Sequence, residues 1–138
     1  MPSTQERLME AQNSHDAEAM AALFAEDYLS AQPAHPNRGF GGAAQVLANW
    51  TSVFAGIPDF RSELVAASVD GNTEWGEWVW RGHHTDGSLF EMRGVTILVI
   101  RDGLVAEGRL YMEPVEVSGG DIDEAVREMY KPPEAPPD

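Results

Sequence analysis

The sequence predicts an α+β fold: three N-terminal helices packed on a curled four-stranded antiparallel sheet, with a short C-terminal helix. Three observations predict it. Asp-Gly occurs at Asp70-Gly71, Asp86-Gly87 and Asp102-Gly103, an even spacing of 16 residues. Asp-Gly favours two-residue hairpins, because a type I′ turn needs positive φ at both central positions. The segments that follow these turns, Thr73 to His84, Leu89 to Arg101 and Leu104 to Val117, are rich in β-formers. Upstream of them, apolar residues recur at helical spacing instead.

Taken in order, Ser3 to Ala11 reads as a first helix, with Ser3 and Glu6 at capping-box spacing and Leu8 and Met9 as an apolar patch. Asn13-Ser14-His15-Asp16 interrupts it, since these residues favour caps and turns. Asp16 to Leu29 reads as a second helix, with Met20, Leu23, Phe24 and Tyr28 on one face. Ser30 to Gly42 holds Pro33, Pro36, Gly39, Gly41 and Gly42 and reads as irregular. It also carries Gln32, His35, Asn37 and Arg38, and long loops in small domains are often functional. Ala43 to Ala55 is the third helix, with Val46, Trp50, Val53 and Phe54 on one face and Gly56 and Pro58 past its end.

Phe60 to Val69 is the first strand. The three longer segments would each span roughly 40 Å at ~3.3 Å per residue, and strands that long twist and curl. Gly76, Gly82, Gly94 and Gly108 are candidate bend or bulge points. Gly119-Gly120 ends the last strand, and Asp121 caps a short amphipathic helix, Ile122 to Tyr130. Lys131 to Asp138 holds four prolines and reads as a disordered tail, leaving residues 1–130 as one domain.

Composition narrows the function classes. The chain has 138 residues, enough for one full core, and a formal net charge of −14. That charge repels phosphate, so neither nucleic acid nor an anionic membrane is an expected partner. With no cysteine there is no thiolate metal site and no thiol nucleophile. Met1 to Glu10 lacks the apolar core of a signal peptide, and no apolar run approaches ~18 residues, so a cytoplasmic location is expected.

Helices followed by a curled meander resemble the nuclear transport factor 2-like superfamily, in its SnoaL-like and ketosteroid-isomerase-like branch. The resemblance covers about residues 5 to 117. It is carried by Asp16-Ala17-Glu18-Ala19, Leu23-Phe24-Ala25-Glu26-Asp27, Gly39-Phe40-Gly41-Gly42, Trp78-Val79-Trp80-Arg81-Gly82-His83-His84, Met92-Arg93-Gly94-Val95, Asp102-Gly103-Leu104-Val105 and Arg109-Leu110-Tyr111-Met112-Glu113. It implies a cone-shaped, cystatin-like roll with a cavity at its open end. It does not fix an activity, because this fold hosts isomerases, cyclases, hydrolases and binders.

Ketosteroid isomerases pair a loop Asp with a protonated strand Asp and a Tyr. Here the loop offers Gln32 to His35, and Thr96 stands at the strand position. The epoxide-hydrolase set lacks its last-strand Asp, which falls near Leu110. SnoaL-type cyclases use a strand His, matched by His84, and an Asp, again replaced by Thr96.

The resulting expectation is a pocket for a hydrophobic, oxygenated small molecule, with no cofactor and no metal. One reading is a cofactor-independent cyclase, isomerase or lyase. His35 or His84 would move the proton, and Tyr28 or Thr96 would hold the oxyanion. Trp50, Trp80, Met92, Leu98 and Met112 would wall the cavity. The bland alternatives are a loop histidine bonded to water, a hairpin-end histidine and tryptophans packed as core. The other readings are a noncatalytic binding domain of the same fold and a purely structural dimer module. Glu77, Glu91 and Glu113 are expected to pair with Arg81, Arg93 and Arg109 across strands. Strict pairing about Asp86-Gly87 puts His83 on the face of Phe90 and Met92, whereas the family match prefers His84 there; a bulge at Gly82 would reconcile them. A homodimer is expected through the outer sheet face at Val95, Ile97 and Val99.

Overall fold

The structure, a computed structural model, describes residues 2–130. The expected disordered tail at Lys131 to Asp138 lies outside the described residues. Helix α1, Thr4–Asn13, starts where the Ser3 hydroxyl accepts the Glu6 N–H at 3.2 Å. Helix α2, Ala17–Ala21, starts where the Asp16 carboxylate accepts the Ala19 N–H at 3.0 Å.

The second helix is much shorter than expected. It stops at Ala21, and Phe24–Ala31 forms strand β1. Phe24, Ala25, Tyr28 and Ser30 are buried while Glu26, Asp27, Leu29 and Ala31 are exposed. A spacing of four satisfies both a helical and an alternating period, so Phe24 and Tyr28 share a face in either structure. The tertiary setting decides in favour of strand. β1 covers the otherwise open edge of strand β6, Leu104–Pro114, in parallel pairing that runs from Leu29↔Glu107 to Ala31↔Arg109. The expected irregular loop then contains a 3₁₀ turn, Pro36–Arg38, and strand β2, Phe40–Gly41, antiparallel to β1.

Helix α3, Ala43–Gly56, leads into strands β3, Arg61–Asp70; β4, Thr73–His83; and β5, Leu89–Arg101. Helix α4, Ile122–Met129, follows β6. Among the described residues the sheet has six strands rather than four, in the order β2-β1-β6-β5-β4-β3. The two extra strands are those drawn from the expected helix and loop.

The three Asp-Gly turns are not equivalent. Only Asp102-Gly103 has positive φ at both residues, 54° and 77°, as a type I′ turn requires. At the first turn Asp70 pairs with Thr73, so Gly71-Asn72 form the loop. At the middle one His83 pairs with Leu89, and His84 to Ser88 form a five-residue connection. That longer loop resolves the facing of β4 without a bulge. Gly82 pairs with Phe90 in an unbroken ladder, and Trp78, Trp80 and Gly82 share the concave face with Met92 and Thr96. The register of the meander breaks instead at Val65 in β3 and at Ala106 in β6, opposite the Val99–Ile100 step of β5.

The core lies between the helices and this concave face. It includes Leu8, Met20, Val46, Phe60, Trp78, Trp80, Leu98, Val105 and Met112. On the convex face Ile97 is already buried within its own chain, and Val95 and Val99 are half-buried. Trp75 and Tyr111 are the exposed apolar rings there, at 42% and 41%. Among the described residues no helix is long and apolar enough to cross a membrane.

Candidate functional site

A cavity of about 120 Å³ lies between the N-terminal helices and the concave face of the sheet. Leu8 and Gln12 of α1, Met20 of α2, and Val46, Asn49 and Trp50 of α3 form one side. Phe24, Tyr28 and Ser30 of β1, with Trp78, Trp80, Thr96, Leu98 and Leu110 of the meander, form the other. Gln32 and Phe40 complete the lining. The tryptophans are braced by ring packing: Trp50 meets Trp80 edge-on at 5.4 Å between centroids and Phe60 at 5.5 Å.

The polar lining differs in how far it is already used. Burial pushes the Tyr28 phenol up from its ordinary pKa, and the neighbouring Ser30 hydroxyl partly opposes the shift. Tyr28 is therefore a neutral hydrogen-bonding group at physiological pH. The Thr96 hydroxyl is committed. It accepts the Trp78 Nε1–H at 2.9 Å and donates to Gln5 Oε1 at 3.1 Å. Gln5 Nε2 returns a bond to the Thr96 carbonyl at 3.2 Å, and the Gln5 N–H donates to Glu74 Oε1 at 3.1 Å. This network ties α1 to the sheet, so the single Thr96 proton is spent on structure. Gln12 Oε1 and Trp80 Nε1 are buried without a hydrogen-bond partner among the described residues.

Of the residues singled out from sequence, Tyr28, Trp50, Trp80, Thr96 and Leu98 line this cavity. His35, His84, Met92 and Met112 do not. Met112 is buried core at 4% exposure, beside the cavity rather than in its wall. His84 and Met92 belong to a separate open groove at the rim, with Phe90, Pro114 and Val115, and the His84 ring stands edge-on to Phe90 at 5.7 Å. His35 is half-exposed, and its Nε2 lies 2.6 Å from Glu113 Oε1. Glu113 thus meets a histidine, while Glu91 makes the cross-strand pair with Arg81 at 3.1 Å.

Two further histidines have partners that the sequence does not announce. His15 has φ of 53°, stacks on Phe54 at 4.8 Å and lies 2.8 Å from the Phe60 carbonyl through Nε2. It joins the α1–α2 connection to the start of β3. On the exposed end of β4, His83 Nδ1 lies 2.7 Å from Asp59 Oδ2, and the His83 N–H donates to Asp59 Oδ1 at 2.7 Å. These bonds hold the Asp59 carboxyl below its usual range. Among the described residues no three His, Asp or Glu side chains converge as a metal site would require.

Gln12 is the main lining residue that sequence reasoning missed. The signal for it lies in α1, where Gln5, Leu8 and Gln12 follow a three-and-four spacing and all are buried. Polar residues on a buried helical stripe mark places where the interior has polar work to do.

The SnoaL-like domain model matches residues 6–108. The chain belongs to the SnoaL-like family. No functionally curated protein matches it. Among solved structures, IdmH of Streptomyces antibioticus, described as a proposed polyketide cyclase, is 25% identical with a TM-score of 0.69, over 80% of this chain and 89% of that one. A Catenulispora acidiphila protein with a ketosteroid isomerase-like fold, solved in complex with trimethylamine, is 20% identical with a TM-score of 0.71, over 80% of this chain and 85% of the other. A protein of Jannaschia sp. CCS1, described as a proposed SnoaL-like polyketide cyclase, is 19% identical with a TM-score of 0.67, over 94% and 91%. The SnoaL-like chain thus shares with them the helices and curled sheet that enclose its cavity.

Proposed function

We propose that this SnoaL-like protein holds a small uncharged molecule in the cavity between its helices and sheet. The lining carries the reading: among the described residues sixteen line the cavity, and none of them is Asp, Glu, His, Lys or Arg. A charged ligand would lose its hydration there and gain no ion partner. The volume sets the size. At about 120 Å³ the cavity is comparable to the ~150 Å³ engineered cavity known to take up benzene, so one ring fits inside it.

Catalysis is a second reading, favoured by one observation. The His35 N–H donates to the Gln32 carbonyl at 2.7 Å, and Gln32 lines the cavity. Glu113 orients the ring. A ligand projecting past Gln32 would meet an imidazole suited to moving a proton.

Calorimetric titration with neutral single-ring compounds separates these readings. Saturable binding with a negative heat-capacity change is expected. Leu98→Phe, which fills the cavity, abolishes it, and His35→Ala leaves affinity unchanged. Undiminished affinity in Leu98→Phe would place the ligand elsewhere. Turnover of a cyclic enone that disappears in His35→Ala would establish the second reading.

The partner we propose is a second copy, docked through the convex face. Arg61, Arg81, Arg93 and Arg109 stand there among Glu63, Glu77, Glu91, Glu107 and Glu113, giving this face about one net negative charge on a chain of −14. Two such faces do not repel, and exposed Trp75 and Tyr111 supply apolar area to bury. Light scattering is expected to give twice 15.1 kDa, and Trp75→Glu to give a monomer. A wild-type monomer at micromolar concentration defeats this.

A further inference from the structure

We propose that α4 is an exchange arm: its apolar stripe seats in the rim groove of a second copy, whose own α4 seats here in return. The helix is eight residues long, Ile122–Met129. Isolated helices shorter than ~12–15 residues are marginal in water, and packing of an apolar face holds them. α4 has such a face, and it stands open. Ile122, Val126 and Met129 follow spacings of four and three, so they share one stripe, and Tyr130 lies just past it. Ile122 is 71% exposed and Met129 65%, and no residue of the helix is buried.

The same chain carries an open groove of matching chemistry. It lies at the rim, has a volume of about 550 Å³, and is walled chiefly by Leu89, Phe90, Met92, Val115 and Val117. No residue of α4 lines it. Charge favours the match. Residues 121–129 carry four carboxylates against one arginine. Glu91, the carboxylate that lines the groove, is bonded to Arg81 at 3.1 Å and lies 3.8 Å from Arg93. Glu113, in register with Arg93, is taken by His35, and Asp86 is tied to the Ser88 hydroxyl within its own turn. Two guanidinium groups thus flank the groove, and an acidic helix approaches them favourably.

The course of the chain decides between its own groove and another's. Pro114 pairs with Met92, and the Val115 N–H donates to the Glu91 carbonyl at 3.0 Å. The chain therefore continues along β5 toward Leu89 and leaves the sheet past the β4–β5 turn. Val117 still walls the groove, so only Ser118 to Asp121 remain to reverse the direction if α4 is to return over it. Asp121 is extended instead, with ψ of −174°. The helix is led away from its own body, and Gly119-Gly120 supply the backbone freedom to aim it at a neighbour. Reciprocal exchange covers both stripes and both grooves in one closed two-fold arrangement.

This inference rests on the dimer proposed above and on nothing in the cavity, and the test keeps exchange and dimer apart. The chain has no cysteine, so introduced thiols report alone. Val126→Cys, Leu89→Cys and Val115→Cys each replace an exposed side chain, so none is expected to disturb the fold. Val126→Cys protein mixed with Leu89→Cys or Val115→Cys protein and oxidised is expected to give a disulfide-linked pair. With at least one groove thiol the rate is expected to exceed, by about tenfold or more, that of Glu124→Cys, whose thiol lies on the opposite side of the helix. With both thiols on one chain, linked dimers are expected. An internally bridged monomer would show that each helix returns to its own groove, and overturns the exchange. Equal rates for Val126→Cys and Glu124→Cys at both groove positions overturn it too. Val126→Glu in the otherwise native chain is expected to weaken the dimer about tenfold or more, read by light scattering on dilution. If the exchange fails while the wild type still scatters as twice 15.1 kDa, the convex-face dimer stands without it. A wild-type monomer that forms no mixed disulfide defeats both.

Discussion

Gly94→Ala is expected to destabilise the fold by at least ~3 kcal/mol, which for a chain of this size is a fall of roughly 10 °C in melting temperature. Gly94 faces the helices from β5, opposite Trp78 on one side and Met112 on the other. A Cβ there would overlap the Tyr111 carbonyl oxygen and lie 2.8 Å from Met112 Cα. Both are backbone atoms of the adjacent strand, so no rotamer change relieves the clash. The strands must separate, and ladder hydrogen bonds are lost. Gly56→Ala provides the control. It lies at the end of α3 with nothing within 4 Å of the added carbon, and Ala there is expected to be neutral or to stabilise by about 0.5 kcal/mol. Thermal denaturation of the two variants side by side reads the difference. Similar melting temperatures would show that β6 can yield at Tyr111.

Trp78→Ala is expected to cost about 3–5 kcal/mol. Trp78 is 1% exposed and among the largest fully buried side chains. It also donates to Thr96 Oγ1, and Thr96 in turn donates to Gln5. Removing the indole leaves the Thr96 oxygen with one donor fewer and opens a void that the packed sheet cannot close. Trp78→Phe, which keeps most of the volume, should cost about 1–2 kcal/mol, chiefly through the lost bond. Trp78 lines the cavity, so the Ala variant should also admit larger rings than the wild type. Chemical denaturation measures the first effect and ligand titration the second. A drop in stability without any change in ligand range would mean that the neighbouring side chains collapse into the space.

The meander was legible because turn chemistry and strand composition agree. Leu89 to Arg101 is bounded as the turn residues suggest, and Thr73 to His83 differs from the sequence reading only by His84. Helix α3 was equally clear from the spacing of Val46, Trp50, Val53 and Phe54. Phe24 to Ala31 was not. Its apolar positions fit a helix locally, and only the open edge of β6, distant in sequence, selects the strand. The histidines show a related difficulty. One residue of loop length moved His84 out of the ladder, and a strand alternation carries no information about where a ladder ends. The aromatic wall of the cavity could be read from composition, whereas the idle indole N–H of Trp80 and the idle amide of Gln12 could not. Whether a polar atom finds a partner depends on three-dimensional neighbours alone.

The parallel pairing of β1 with β6 has a consequence for synthesis. Residues 24–31 are made before α3 and the meander, but the strand they lie against, from Val105 to Arg109, is made only after the whole of the intervening hairpin series. Any nascent chain shorter than that holds its first strand with an unsatisfied edge. The architecture therefore closes only once β6 is made, and premature termination anywhere in the meander yields a product that lacks more than the residues it is missing.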